Sequence, residues 1–234
     1  MEKAIYPLKN MRITQGYEEG THIDSYAIDD AGKNTNIENV YAPFTGTIKK
    51  IYTQDANEVW LESENPVEYP DGTIDYMTVL FAHDNDISDL YVGKKIKQNE
   101  AFYQEGTAGN ATGNHCHIEC AKGKYIEPGW QQNEAGYYKI INAKRPEECL
   151  WLNNTNVIDN HGYNFMEIPI DTIDAPSDEE IIESPSTEAP NTPPEEETDN
   201  EAITEEAKLR LIYTCTKTDL YGIYLKEGEQ VYLK

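Results

Sequence analysis

Cysteine is scarce in this chain of 234 residues: there are four, with no CxxC pair. That excludes a cysteine zinc ribbon and argues against a disulfide framework. Long apolar runs are missing. No stretch reaches the about 18 apolar residues of a transmembrane helix, so membrane insertion is not expected. The opening Met1-Glu2-Lys3-Ala4-Ile5-Tyr6-Pro7 lacks the apolar core of a secretory signal. Positive charge is short as well: 19 Lys and Arg stand against 43 Asp and Glu, a net charge of −24. A surface of that sign argues against nucleic acid or an anionic membrane as partner. Hydrophobic residues make up 38%, below the roughly 45–50% of an average domain. One core is still within reach if the polar residues are concentrated elsewhere.

They are concentrated. Residues 167–207 hold 15 acidic residues, no Lys or Arg and no aromatic. Such a segment cannot bury enough apolar surface to offset the entropy of ordering it. It reads as a solvated linker at 166–207, between a first domain at 1–165 and a small β-rich element at 208–234. In the last part, Leu209–Thr214, Gly222–Leu225 and Val231–Leu233 read as strands. A wall-binding element, a self-association element and a plain terminal hairpin all remain open for it.

The first domain reads as all-β, an antiparallel sheet or barrel-sandwich with loops forming a groove. Short apolar runs rich in Tyr are punctuated by Gly, Asn and Asp. Candidate strands are Thr47–Tyr52, Glu58–Ser63, Tyr76–His83 and His115–Ala121. Pro66–Gly72 reads as a hairpin excursion, Ile87–Tyr91 as one helical turn, and Val92–Ile96 as a turn into a short strand.

Only five histidines occur, and four lie in segments that suggest a site. In Gly113-Asn114-His115-Cys116-His117-Ile118-Glu119, strand alternation puts His115, His117 and Glu119 on one face and Cys116, Ile118 and Cys120 on the other, towards a core. Alone, an HxH pair is more often two hydrogen-bonded histidines at a strand edge. A second segment runs from His22 to Asp29. One nitrogen and one carboxylate oxygen from it, with one His of the HxH pair, would make three protein ligands, the pattern of a catalytic rather than a structural zinc. A third segment, Leu80-Phe81-Ala82-His83-Asp84, ends an apolar strand where a side chain can project into a groove. His161 reads as a surface residue, Cys149 and Cys215 as buried apolar residues rather than a pair, and Trp60, Trp130 and Trp151 as core or groove wall.

The order of these segments resembles the lysostaphin/LytM family of zinc metallopeptidases, in the versions found in phage and prophage endolysins and tail lysins. The resemblance runs over roughly residues 5–150. It is carried by Gly20-Thr21-His22 with Ala27-Ile28-Asp29, by Val40–Ile48, by Phe81-Ala82-His83, and by Gly106–Glu119. A phrase like Tyr41–Ile48 also occurs in lipoyl and biotinyl carrier domains, but no Met-Lys pair follows here. The resemblance implies one catalytic Zn2+ held by His22, Asp29 and His117. It implies His115 as general base and His83 as hydrogen-bond partner of the water or oxyanion, roles that could be exchanged. Many members place the Asp four residues after the His, which here is Tyr26. The seven-residue step to Asp29 resembles a phage-type variant, with Asp24 ranked second. The implied substrate is a peptidoglycan cross-link peptide, with Tyr26, Asn110, Thr112 and Asn114 as candidate subsite residues. The expected protein is a phage or prophage endolysin, with a virion tail-associated lysin as the alternative, made in the host cytoplasm without a signal peptide and acting on the cell wall, released through a pore or carried in a virion. A non-catalytic wall-binding module on the same fold is the rival from another class.

Overall fold

The computed structural model describes residues 1–169 and the two strands Arg210–Thr214 and Gln230–Leu233. The chain divides into two units, Met1–Ala175 and Pro176–Lys234. The second contributes one antiparallel strand pair, Arg210–Thr214 with Gln230–Leu233. The predicted strand at Gly222–Leu225, Cys215 and nearly all of the acidic segment lie outside the described residues.

The first unit is built on a nine-stranded sheet. Its strands are β1 (Asn10–Gln15), β2 (Ile28–Asp30), β3 (Gly46–Tyr52), β4 (Glu58–Ser63), β5 (Met77–Ala82), β6 (Lys95–Ile96), β7 (Cys116–Lys122), β8 (Ala143–Lys144) and β9 (Asn156–Asp159). The order across the sheet is β9-β1-β2-β7-β5-β4-β3-β6, with β8 taking up the edge of β7 beyond β2. All pairings are antiparallel except β1 with β9. Small two-stranded pairs flank this sheet, among them the hairpin Val67–Glu68 with Ile74–Asp75 and the hairpin Trp130–Gln132 with Tyr138–Ile140. Among the described residues, helix is confined to one turn, Pro146–Cys149, and the 3-10 turn Gly20–His22. The chain is all-β, as its pattern of short alternating strands implies.

The period-2 alternation decides which side chains enter the core. Cys116, Ile118 and Cys120 of β7 pack with Val79 and Phe81 of β5, Val59 and Leu61 of β4, Ile48 of β3 and Ile28 of β2. The opposite face carries a smaller cluster of Trp60, Leu80, Ala121 and Ile140, against which Trp130 and Tyr125 pack. The hairpin at 130–140 thus covers one end of that face, and the other end is the floor of a cleft. Cys116, Cys120 and Cys149 are buried free thiols.

One local expectation needs correction. Ile87–Tyr91 is a single turn closed by the Leu90 N–H on the Ile87 carbonyl (3.0 Å), not a turn of helix. The Asp84 and Asp86 carboxylates accept the N–H groups of Asp86 and Ser88, which gives this backbone a local alternative to helical bonding. His161 is a partly exposed surface residue, as expected, and it is engaged there. Its Nε2 lies 3.0 Å from Glu19 Oε1, and its ring packs beside Tyr163.

Candidate metal centre

Adjacent residues of β2 face opposite ways. Asp30 enters the core side, where it accepts the hydroxyl of Tyr6 (2.5 Å) and the N–H groups of Gly32 (2.7 Å) and Arg12 (3.1 Å). Burial pushes its carboxyl up to about 6. Asp29 enters the cleft. Register places it opposite His117 of β7, and His117 opposite Ala82 of β5.

His22 reaches the same point from the 3-10 turn, buried at 3% exposure. Its Nδ1 lies 3.1 Å from the Gly16 carbonyl, and its Nε2 3.4 Å from Asp29 Oδ1. Nδ1 of His117 lies 3.0 Å from the same oxygen, while its Nε2 lies 3.2 Å from Glu119 Oε1. Each ring therefore has one nitrogen tied to an acceptor outside the site and the other turned on Asp29. One ligand atom each from His22, Asp29 and His117 fits within 4.8 Å. Burial alone would raise Asp29, but hydrogen bonds to His117 and His22 outweigh it and hold the carboxyl far below the usual range. Burial alone would lower His117; its bonds to Asp29 and Glu119 outweigh that and push it to about 10.

His115 and His83 flank this group, with their ring centroids 4.4 Å apart. Nδ1 of His115 is held by the Gly113 carbonyl (2.8 Å), and its Nε2 faces Asp29 Oδ2 at 3.7 Å. His83 follows β5 directly with φ of 89°, a left-handed conformation that costs a bulky residue strain and persists only where its surroundings fix it. Its N–H is held by the Ala56 carbonyl (2.7 Å) and its Nδ1 by the Ala108 carbonyl (2.7 Å). Burial and the nearby His117 lower His83 to about 4, so it is neutral at pH 7 with Nε2 as its free acceptor.

All five residues line one cleft of about 400 Å³. Asn110 and Thr112 also line it. Tyr26 and Asn114 do not. Tyr26 packs edge-on against Tyr17 under Arg145, at a separate pocket, and Asn114 donates from Nδ2 to the Thr35 carbonyl (3.0 Å). Asp24, the alternative carboxylate, lies in that second pocket too.

Three contributors escape sequence reasoning. Glu119 shares the face of His117, as alternation requires, but its second bond, from the Ile140 N–H (2.9 Å) to Oε2, is visible only in the fold. Glu58 reaches the cleft from β4. The pair Glu19–His161 ties the loop carrying His22 to a segment beyond β9. Glu119 and the Gly16 carbonyl each hold the outer nitrogen of a ring, His117 and His22, an arrangement that fixes the tautomer wherever such a histidine binds a metal. Two imidazoles and one carboxylate, with the fourth direction open to the cleft, form a donor set suited to a divalent ion such as zinc.

No protein-family model matches the chain. It is 31% identical over 171 residues to Morphogenesis protein 1 of Bacillus phage B103, a match covering 72% of this chain and 42% of that protein. The chain thus spans less than half the length of this relative. Among solved structures, a zinc-containing peptidase from Vibrio cholerae is 19% identical with a TM-score of 0.39, over 52% of this chain and 37% of that one. A variant of the catalytic domain of the prophage-encoded M23 protein EnpA from Enterococcus faecalis is 19% identical with a TM-score of 0.38, over 53% and 94%. Lysostaphin from Staphylococcus simulans, as its catalytic domain, is 18% identical with a TM-score of 0.34, over 52% and 80%. Among the described residues, no helix is long and apolar enough to cross a membrane.

Proposed function

We propose that this chain is a zinc-dependent endopeptidase that hydrolyses peptide cross-links of bacterial peptidoglycan in the service of a bacteriophage. The observation that carries the reading is the convergence of His22, Asp29 and His117 on one point of a cleft floor, with His83 and His115 beside them. The order and identity of these residues resemble the lysostaphin/LytM peptidases. Likeness to a phage morphogenesis protein supports the phage setting and favours a lysin carried in a virion over a free endolysin. Residues 1–165 would carry the peptidase, 166–207 a solvated linker and 208–234 a separate β element that binds wall or self-associates.

In this reading His22 through Nε2, Asp29 through a carboxylate oxygen and His117 through Nδ1 hold the ion. A bound zinc supplies Lewis-acid chemistry on the open side of the triad. His83 and His115 each have Nδ1 committed to a backbone carbonyl and Nε2 left as an acceptor. Two acceptors side by side can hold both hydrogens of one water and turn a lone pair towards a scissile carbonyl. His115 takes the water proton as general base and returns it to the leaving amine. His83, held neutral, orients the water. One water is consumed, the amide C–N bond breaks, and a carboxylate and an amine result. Asn110 and Thr112 offer polar contacts to the peptide backbone.

The test is a peptidoglycan digest by the full chain, with and without a zinc chelator, read by mass spectrometry of the soluble fragments. New peptide ends that disappear with chelator and return with zinc are expected. Binding to walls without cleavage, across several wall chemistries, would replace this reading with that of a non-catalytic module.

A further inference from the structure

The cleft floor is laid out in two rows across the sheet. In one, Trp60 of β4 pairs with Leu80 of β5, and Leu80 with Glu119 of β7. In the other, Ala82 pairs with His117, and His117 with Asp29. Glu58 precedes Val59, the partner of Phe81, and so falls beside Ala82 at the far end of this second row. Two strand spacings of about 4.8 Å put its backbone about 10 Å from that of His117, the length of about three extended residues. Only the methyl of Ala82 lies between them, so a peptide bound over the metal triad passes Glu58 directly.

The surroundings of Glu58 suit a cation. Among the described residues no hydrogen bond reaches its carboxylate, and Oε2 is closed off from solvent. Two cations act on it electrostatically, His117 and then Lys50, and both are engaged elsewhere: His117 with Asp29 and Glu119, and Lys50 with the Pro128 carbonyl and with the Trp130 ring, 3.6 Å from its centre. Lys139, on the opposite wall, is held by the Asp24 carbonyl (2.6 Å). Asp55 lines the same end of the cleft and adds a second negative charge. Half-buried Trp130, packed over the buried Trp60 and Leu80, gives an apolar wall along which an alkyl stem can lie with its charged head at a carboxylate. Burial pushes the Glu58 carboxyl up to about 7, a shift that an adjacent ammonium reverses.

We propose that Glu58 is a specificity-determining residue of the cleft, its carboxylate receiving the ammonium group of an amine-bearing side chain of the substrate peptide. The inference rests on the peptidase reading above and names the substrate class of the same site. A carboxylate in a partly dry wall without a partner gains most from a ligand that brings the missing positive donor, and loses it when that donor is acylated.

The probes are cross-linked muropeptide dimers from a diaminopimelate wall and from a lysine wall, each untreated or N-acetylated. Initial rates with the zinc-loaded full chain give kcat/KM for each. Wild type should prefer the free-amine form of its substrate at least tenfold, and Glu58→Gln should bring the ratio within about twofold of one. Because the ratio is internal to each protein, a partly misfolded variant does not mimic the result. Equal cleavage of both forms by wild type, or an undiminished preference in Glu58→Gln, overturns the proposal and leaves the peptidase reading standing. Cleavage of none of the four by wild type overturns the peptidase reading and this proposal with it.

Discussion

Replacing Gly16 by Ala should loosen the metal centre from outside it. A Cβ at position 16 would lie 2.1 Å from the Tyr163 hydroxyl oxygen and 2.6 Å from Cδ2 of His161. Ordinary contact is about 3.5 Å, so one side must yield by about 1.4 Å. Neither ring is free to do so without loss. Tyr163 stacks on Tyr17 at 4.2 Å, and His161 bonds Glu19 at 3.0 Å. The backbone is no freer, because the Gly16 N–H bonds Glu19 (3.2 Å) and the Gly16 carbonyl holds His22 (3.1 Å). Overpacking of this kind costs about 1–3 kcal/mol, and loss of an outer-shell partner costs about 10–100-fold in metal affinity. Two measurements on the full chain check this: zinc affinity by competition with a chelator, and the melting temperature with zinc in excess. Gly16→Ala should bind zinc at least tenfold more weakly and melt several degrees lower, at about 2–4 °C per kcal/mol for a domain of this size. Zinc affinity within twofold of wild type, with an unchanged melting temperature, would refute the reasoning that Tyr163 and His161, packed on Gly16, position His22 through the Gly16 carbonyl.

Two further outcomes are expected. Glu119→Ala strips the acceptor from His117 Nε2 and from the Ile140 N–H; zinc affinity should fall about 10–100-fold, and Glu119→Gln, whose single amide oxygen can still accept from His117 Nε2 at the expense of the Ile140 N–H, should lose less in the same chelator competition. Glu105 is fully buried, and burial pushes its carboxyl up to about 8. A carboxyl raised in the folded state contributes stability that is complete below its unfolded pKa of about 4.3 and is lost as pH rises through 8. Melting curves should therefore show Glu105→Gln gaining on wild type between pH 5 and pH 9, and a constant difference across that range would refute the assignment.

The strand that matters most is legible in the sequence. In β7 the alternation of His117 and Glu119 with Cys116, Ile118 and Cys120 forecasts both faces, because period 2 is a local property of an extended chain. The all-β class follows from the same kind of local reading. Glu58 is not legible, because its place beside Ala82 depends on which strands are neighbours, and no spacing along the chain states that. Gly16, Glu19 and His161 are hidden for the same reason, the last being 142 positions from its partner. Tyr26 and Asn114 show the converse error: closeness in sequence to a metal ligand does not set the direction of a side chain. Tyr26 turns to Tyr17 and Arg145, and Asn114 to the Thr35 carbonyl.

The opposed pair Asp29–Asp30 has a consequence for how such a chain tolerates change. One carboxylate is committed to the cleft and its neighbour to the core, where it gathers Tyr6, Arg12 and Gly32. A one-residue slip of β2 in either direction would empty one of the two places: Ile28 would stand in the cleft in place of Asp29, or Ala31 would stand under Tyr6 in place of Asp30. The loop from Ile23 to Ala27 makes its own contacts, with Lys139, Asn133 and Tyr17, but it does not set the phase of β2, since pairing on both sides of the strand fixes Asp29. Insertions and deletions in that loop should therefore be accepted whenever the strand keeps its phase. The interval between His22 and Asp29 is then the looser quantity, and the parity of the strand is the one under constraint.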